Sequence, residues 1–340
     1  MRREADATAV AASAAAVGAA PAASGAVLVV VNRRAGGGRG GALEPRLRKV
    51  LAAAGAAAQV VASEDAAAAR AAVAALPAGS RVVVVGGDGT LHGLLPALIT
   101  GGHVTGLLPV GSGNDSARAL GLHGLPWRLA LDHALTAPPR AIDTGLVRTE
   151  HAQQPFVSSV CIGLDAAIAR RAATGHLRRL GSSPRYFIAA LLELLHLRRR
   201  HLRVSADGRE LYAGEALLCA VLNTPSYGGG LPMQPAAALD DGRLDTVIAA
   251  GTGRAAALAL LLRLLRARHL GHRLVRHASF TSLRVEADAP LPLASDGEAL
   301  AAAQRIAIEV RPRSLRVVGN DGAVAPAPTQ TSRARPRWPR

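Results

Sequence analysis

Four consecutive valines, Val82 to Val85, run without a break into Gly86-Gly87-Asp88-Gly89-Thr90, and this junction constrains the chain more than any other stretch. A run of β-branched residues with no polar alternation fits a strand covered on both faces. Thr90 then opens Leu91, Leu94, Leu95 and Leu98, spaced as one face of a helix. A strand, a glycine turn and a helix in succession aim backbone N–H groups at a phosphate. Asp88 is an acid in a site otherwise suited to anions. A magnesium ion or a hydroxyl being deprotonated accounts for it, and a helix cap is the plain structural alternative.

Short strands and helices alternate around this junction. Ala26 to Val31, Ala58 to Ala62 and Val104 to Pro109 read as strands. Leu43 to Ala54, Asp65 to Leu76 and Pro126 to Thr136 read as helices. The alternation predicts a parallel sheet covered by helices over residues 25–148. After Pro138-Pro139, Arg140 to Val147 leads into a half dominated by strands: Phe156 to Ile162, Leu202 to Ser205, Glu215 to Asn223, Leu244 to Ala249, Ser282 to Glu286 and Ile306 to Val310. These predict an antiparallel β-sandwich over residues 149–319. Two helices interrupt it, Arg185 to Arg200 with an arginine-rich last turn and Arg254 to Arg273 with leucines between arginines. The second is a core-facing helix with a solvated arginine face, or a basic amphipathic helix on a membrane. Residues 1–24 are low-complexity Ala, Ser and Gly, and 320–340 are rich in Pro, Ala and Arg; both are expected to be disordered tails.

Lys49 is the only lysine of the 340 residues. No Gly-x-x-x-x-Gly-Lys-Ser/Thr can be written, which excludes a P-loop NTPase. Any phosphate clamp must use amides, hydroxyls, arginine and metal. The formal net charge of +16 points to an anionic partner surface, and aromatic residues at 2% are too few for the stacking platforms of single-strand nucleic-acid binders. The partner predicted is an anionic membrane face, with no nucleic acid. Cys161 and Cys219 sit in apolar runs, as small core residues of a protein in a reducing cytoplasm.

A second stretch has the same form. Pro109-Val110-Gly111-Ser112-Gly113-Asn114-Asp115-Ser116-Ala117-Arg118 takes a strand into a loop of small residues and then a helix. Ser112 and the amides of Gly111 and Gly113 can donate to phosphate, and Asn114 can bridge neighbouring loops. The two stretches, in this order, resemble the two motifs of the diacylglycerol kinase and sphingosine kinase-like lipid kinases, including the bacterial branch. NAD kinases share Gly-Gly-Asp-Gly-Thr but lack the second form. Further on, Asp143-Thr144-Gly145, Gly163-Leu164-Asp165-Ala166, Asn223 to Gly230, Asp240-Asp241-Gly242 and Asp296-Gly297-Glu298 also resemble family motifs. The family's Asn-Glu after the first motif is here His92-Gly93.

The resemblance implies an NAD kinase/diacylglycerol kinase-like α/β domain followed by the β-sandwich, and ATP with Mg2+ as cofactors. It implies nucleotide contacts from Asn32, Ser63, Gly86, Gly87, Asp88, Gly89, Thr90, Leu91, His92, Gly111, Ser112 and Asn114. Glu298 is implied as the general base, with Asp88 as its catalytic companion. A structural magnesium on Asp241 and the carbonyls of Ala238 and Arg243 is implied as well. The acceptor is a lipid hydroxyl at a membrane to which the protein binds peripherally, and a homodimer is left open. Three alternatives remain: an NAD kinase-like small-molecule kinase, a non-catalytic relative, and an NAD(P)-dependent oxidoreductase using Gly36-x-Gly38-x-x-Gly41 as a dinucleotide loop.

Overall fold

The computed structural model describes residues 26–320, except 174–176, 178–181, 197, 198 and 252. Both expected tails lie outside the described residues, apart from residue 320 itself.

Strands β1 (Val27–Asn32), β2 (Ala58–Ser63), β3 (Arg81–Gly86) and β4 (Val104–Pro109) pair in parallel in the order β4-β3-β1-β2. They alternate with helices α1 (Ala35–Ala53), α2 (Ala66–Ala74), α3 (Asp88–Thr100), α4 (Asp115–Ala119) and α5 (Trp127–Thr136). The four valines of β3 are at most 2% exposed and feed two cores in alternation. Val82 and Val84 pack with Leu91, Leu94, Leu95 and Leu98 of α3. Val83 and Val85 pack with Leu43, Leu47 and Leu51 of α1. Each such valine contributes about 1.5 kcal/mol of burial, so a one-residue slip in register would gain nothing on either side.

The second half comprises β5 (Arg140–Thr149), β6 (Gln153–Phe156), β7 (Ser159–Gly163), α6 (Leu164–Ala172), α7 (Ser182–Leu195), β8 (Arg200–Ala206), β9 (Arg209–Leu222), β10 (Leu244–Ala250), α8 (Arg254–Leu264), β11 (Val275–Phe280), β12 (Ser282–Ser295) and β13 (Glu298–Val317). Its internal pairings are antiparallel. The long strands β9 and β12 both pair with β8 at one end and with β7 at the other, which folds the sheet over its own core of Val160, Ile162, Val204, Val221, Phe280 and Val285.

β13 is the seam. Over its 20 residues it pairs with β12, then with β5, and at Arg316 and Val317 it lies parallel to β4. Leu315 and Val317 thereby join the core of the first domain. The buried carboxylate of Asp143 on β5 clamps this joint, accepting N–H donors from Gly242 at 2.6 Å and Arg313 at 2.7 Å.

The structure corrects several boundaries. The Phe156-to-Ile162 strand is two strands, because the amides of Val157 and Ser158 turn aside to a carboxylate described below. Helix α7 ends at Leu195, and Arg200 and His201 already belong to β8 rather than to its last turn, while Arg198 lies outside the described residues. Helix α8 stops at Leu264, where Ala267 takes φ +51 and the N–H groups of Ala267 and Arg268 return to Leu264 O and Arg263 O in a Schellman-type ending. The α1 segment opens at Ala35 with a kink in which Gly36, Gly37 and Gly38 all hold positive φ, and its regular right-handed turns follow them, ahead of the expected Leu43. A Cβ at Gly36 would overlap Val110 O, so the glycine run serves to lay the chain against the second loop.

Candidate active site

The strands of the parallel sheet deliver Asn32, Gly87 and Gly111 to one edge, where the loops after β1, β3 and β4 gather. Facing them across a 990 Å3 cavity is the turn between β12 and β13. Asn32, Gly87, Asp88, Gly89, Thr90, His92, Gly111, Ser112 and Glu298 all line this cavity. The expected approach of Glu298 to the glycine turn is very close. A Cβ at Gly89 would overlap the Glu298 carboxylate, so any larger residue there would have to push that side chain out of its present place.

Within the glycine turn, the Asn32 amide donates to Thr90 Oγ1 at 2.8 Å and fixes the hydroxyl at the cavity wall. Asp88 does not cap its own helix. Its two carboxylate oxygens accept the N–H groups of Asp115 and Ser116, each at 3.0 Å, and so hold the start of α4. An alanine at this position would strip both amides of their acceptor, so Asp88 supports the fold as well as lining the cavity. Burial pushes the Asp88 carboxyl up, against the pull of the Ser116 and Asp115 amides.

Asp115, the first residue of α4, ties the loop after β4 to the second domain by accepting Gly229 N–H at 2.8 Å and Gly230 N–H at 2.9 Å. Burial, and then the charge of Asp88, push its carboxyl up to about 7. Asn114 takes φ +56 and donates to Gly111 O, holding the loop from inside. The Gly111 N–H is given to Gly86 O, so that amide is already engaged, contrary to its expected role as a phosphate donor. Arg185 of α7 reaches in from the other domain and donates to Ser112 Oγ at 3.1 Å.

The two acids of the facing turn differ in surroundings: Glu298 is exposed and Asp296 is not. It is buried, and it accepts N–H donors from Val157, Ser158 and Ser159 at 3.0, 2.7 and 3.1 Å. His92 Nδ1 lies 3.0 Å from its Oδ2. Asp296 thus bolts the turn in place and sets Glu298 toward Gly89. Asp165, also buried, lines the cavity beside Cys161 and Tyr227, and its Oδ2 has no hydrogen-bond partner. Burial pushes its carboxyl up to about 8, the Ala166 amide opposing.

The remaining expected residues lie elsewhere. Leu91 is turned into the core of the first domain, and Gly86 and Asn114 lie behind the loops. Ser63 sits beside Asn32 in the β1–β2 register, but its hydroxyl is spent on Asp65 at the start of α2. Ala238, Asp241 and Arg243 stand together at the turn before β10, outside the cavity. Asp241 is exposed and accepts Arg243 N–H at 3.0 Å through one carboxylate oxygen, and its other oxygen is of the type a hard cation takes among about six oxygen ligands. Among the described residues, no three His, Cys, Asp or Glu side chains are grouped to hold a metal. Sequence reasoning missed Asp115, Asp296 and Arg185 as site builders. The first two stand inside quoted motifs, whereas nothing in sequence marks Arg185.

Residues 26–147 match the diacylglycerol kinase catalytic domain, and residues 158–319 match the YegS C-terminal NAD kinase beta sandwich-like domain. A diacylglycerol kinase of Mycobacterium tuberculosis is 33% identical over 190 residues, spanning 56% of this chain and 61% of that protein's length. A Pseudomonas fluorescens protein named "Probable lipid kinase YegS-like" is 32% identical over 241 residues, spanning 70% of this chain and 77% of its own. The crystal structure of a diacylglycerol kinase from Bacillus anthracis superposes with a TM-score of 0.63 at 20% identity, covering 88% of this chain and 98% of that one, a likeness of fold. With both domains matched in order and a relative covered over most of its length, the chain belongs to the diacylglycerol kinase and YegS-like lipid kinase family.

Proposed function

We propose that the chain is an ATP-dependent lipid kinase, moving the γ-phosphoryl group of ATP to a lipid hydroxyl. The observation that carries this reading is that a single cavity joins the two glycine loops to an apolar end lined by Leu194, Leu217, Val247, Leu260, Leu261 and Val275. A phosphate-type mouth continuous with a hydrocarbon-type interior suits an acceptor that is polar at one end and fatty at the other. The phosphates lie along Gly87 to Thr90 and Ser112, with Arg185 supplying positive charge in a chain with one lysine. Glu298 takes the proton of the lipid hydroxyl as its oxygen bonds to the γ-phosphorus and the bond to the β-phosphate oxygen breaks, releasing ADP. The unpartnered Oδ2 of Asp165 is satisfied by a polar group of the acceptor head. Asp241, which lies outside the cavity, would hold a magnesium that braces the turn before β10.

Labelled ATP supplied with a total lipid extract, and separately with NAD, tests the reading. Label is expected in a lipid. Label in NAD alone would sink it, and the apolar end of the cavity speaks against that outcome.

The reading also puts the chain at an anionic membrane face on the cytoplasmic side. Phe187, Leu191, Leu192 and Leu195 of α7 and Leu258, Leu262 and Leu265 around α8 are exposed on two packed helices that line the apolar end of the cavity. Exposed arginines Arg263, Arg266 and Arg268 lie among them. No helix among the described residues is long and apolar enough to cross a membrane. Sedimentation with anionic vesicles is expected to weaken as salt rises, since screening acts within about 8 Å at physiological ionic strength. Equal binding to neutral and anionic vesicles at every salt concentration would remove the arginines from the account.

A further inference from the structure

His92 stands where the family usually has asparagine, and its surroundings are unlike those of a surface histidine. Its side chain is 11% exposed and that of Asp296 is 2% exposed. Three backbone amides and the imidazole fill the four acceptor positions of the Asp296 carboxylate. A carboxylate so engaged only accepts, so Nδ1 of His92 carries a hydrogen. Gln154, on β6, lines the cavity wall beside the ring and acts in the same direction as the two carboxylates. A mostly buried ring held against a fully engaged carboxylate is the setting in which a charged hydrogen bond favours the imidazolium.

The charged groups whose fields reach the ring are Asp296 and Glu298, both on the β12–β13 turn and both acidic. On its own helix, Asp88 lies one turn earlier, and the neighbouring elements β6 and α2 bring the neutral Gln154 and Ala66 to the cavity wall. Burial alone would lower the imidazole, yet the hydrogen bond and charge of Asp296, the charge of Glu298 and Gln154 together raise it above its ordinary 6.5.

Resting on the phosphoryl-transfer reading above, we infer that His92, clamped by Asp296, is a positioning residue that holds a positive charge beside Glu298 and the glycine turn. The physical need is plain. Glu298 touches Gly89, the turn that would hold a polyphosphate, and two like charges in one cavity repel. A cation lining the same cavity offsets that repulsion and lets the carboxylate and the nucleotide occupy neighbouring places. The charge is fully present below the ordinary histidine value and is lost as pH rises through the raised one.

The test is the pH dependence of ATP binding with Mg2+, followed by titration calorimetry on the full chain and on His92→Asn, the residue the family uses. The wild type is expected to bind about tenfold more tightly than the variant near pH 6 and to converge with it at alkaline pH, with any slope common to both coming from Asp115 and Asp165 in the same cavity. The imidazole resonance that disappears in His92→Asn should titrate above 6.5. His92→Gln, a second neutral side chain, should behave as His92→Asn does. Parallel pH profiles for wild type and variants, or a His92 resonance titrating at or below 6.5, would overturn the inference. If the binding pattern holds while no lipid is phosphorylated, the cation stands and the lipid-acceptor reading falls.

Discussion

Glu298→Gln lowers turnover with a lipid alcohol by about 10²-fold or more while ATP affinity stays within a few fold. Glutamine keeps the size of the side chain and can still hydrogen-bond, but it cannot take the acceptor's proton. Glu298 is exposed within the cleft, so the change removes no core packing. The fold of the turn rests on Asp296 and its three amides, which the substitution leaves in place. A transition state with little covalent demand on the protein still needs the nucleophile's proton removed, and Glu298 is the carboxylate that touches the glycine turn. Steady-state kinetics with the lipid identified by the labelling assay would read the effect. Near-normal turnover would show that the proton leaves by another route.

The second large effect is on stability. Asp165 has its carboxyl pushed from 3.8 up to about 8 by burial. A carboxyl whose folded value lies above its unfolded one binds more protons when folded. Its cost is therefore absent below the unfolded value and accumulates as pH rises through that window. At about 1.4 kcal/mol per pH unit the bound is several kcal/mol. Asp165→Asn removes the ionisation at nearly constant shape, so the variant should be the more stable form near pH 8 and should lose less between pH 4 and 8. Asp88, Asp115 and Asp245 are shifted in the same direction and keep part of the slope in the variant. Denaturant unfolding at several pH values measures this. Identical slopes would mean that Asp165 is solvated or paired in solution.

Local signals carried the first domain well. The strand Val104–Pro109 and the start of the glycine turn fall where β-branched runs and glycines put them, because a strand buried on both faces leaves an unambiguous apolar record. The second domain was legible only at its buried centres. In β12 and β13 the apolar stretches Ser282 to Glu286 and Ile306 to Val310 were visible, but the strands continue through exposed alanines and arginines whose pairing is set by neighbours far away in sequence. The site divides in the same way. Residues that bind through glycine and hydroxyl chemistry were marked by composition. The supports were not: Asp296 looks like any turn acid until the amides of Val157 to Ser159 are seen to converge on it. Arg185 arrives from a helix that no local rule connects to Ser112.

The seam at β13 bears on how the chain comes to be made. Val104 and Thr105 find their partners in Arg316 and Val317, with almost the whole second domain lying between them in the order of synthesis. A ribosome would release β1 to β4 with the outer edge of β4 bare, and with Leu315 and Val317 still missing from the core. Bare edges invite pairing with other chains, and contacts so distant in sequence form slowly. The first domain is thus a guest of the chain's last strand. It is completed last, by the same strand whose first residue is Glu298, so a finished glycine-loop sheet and a placed carboxylate emerge together.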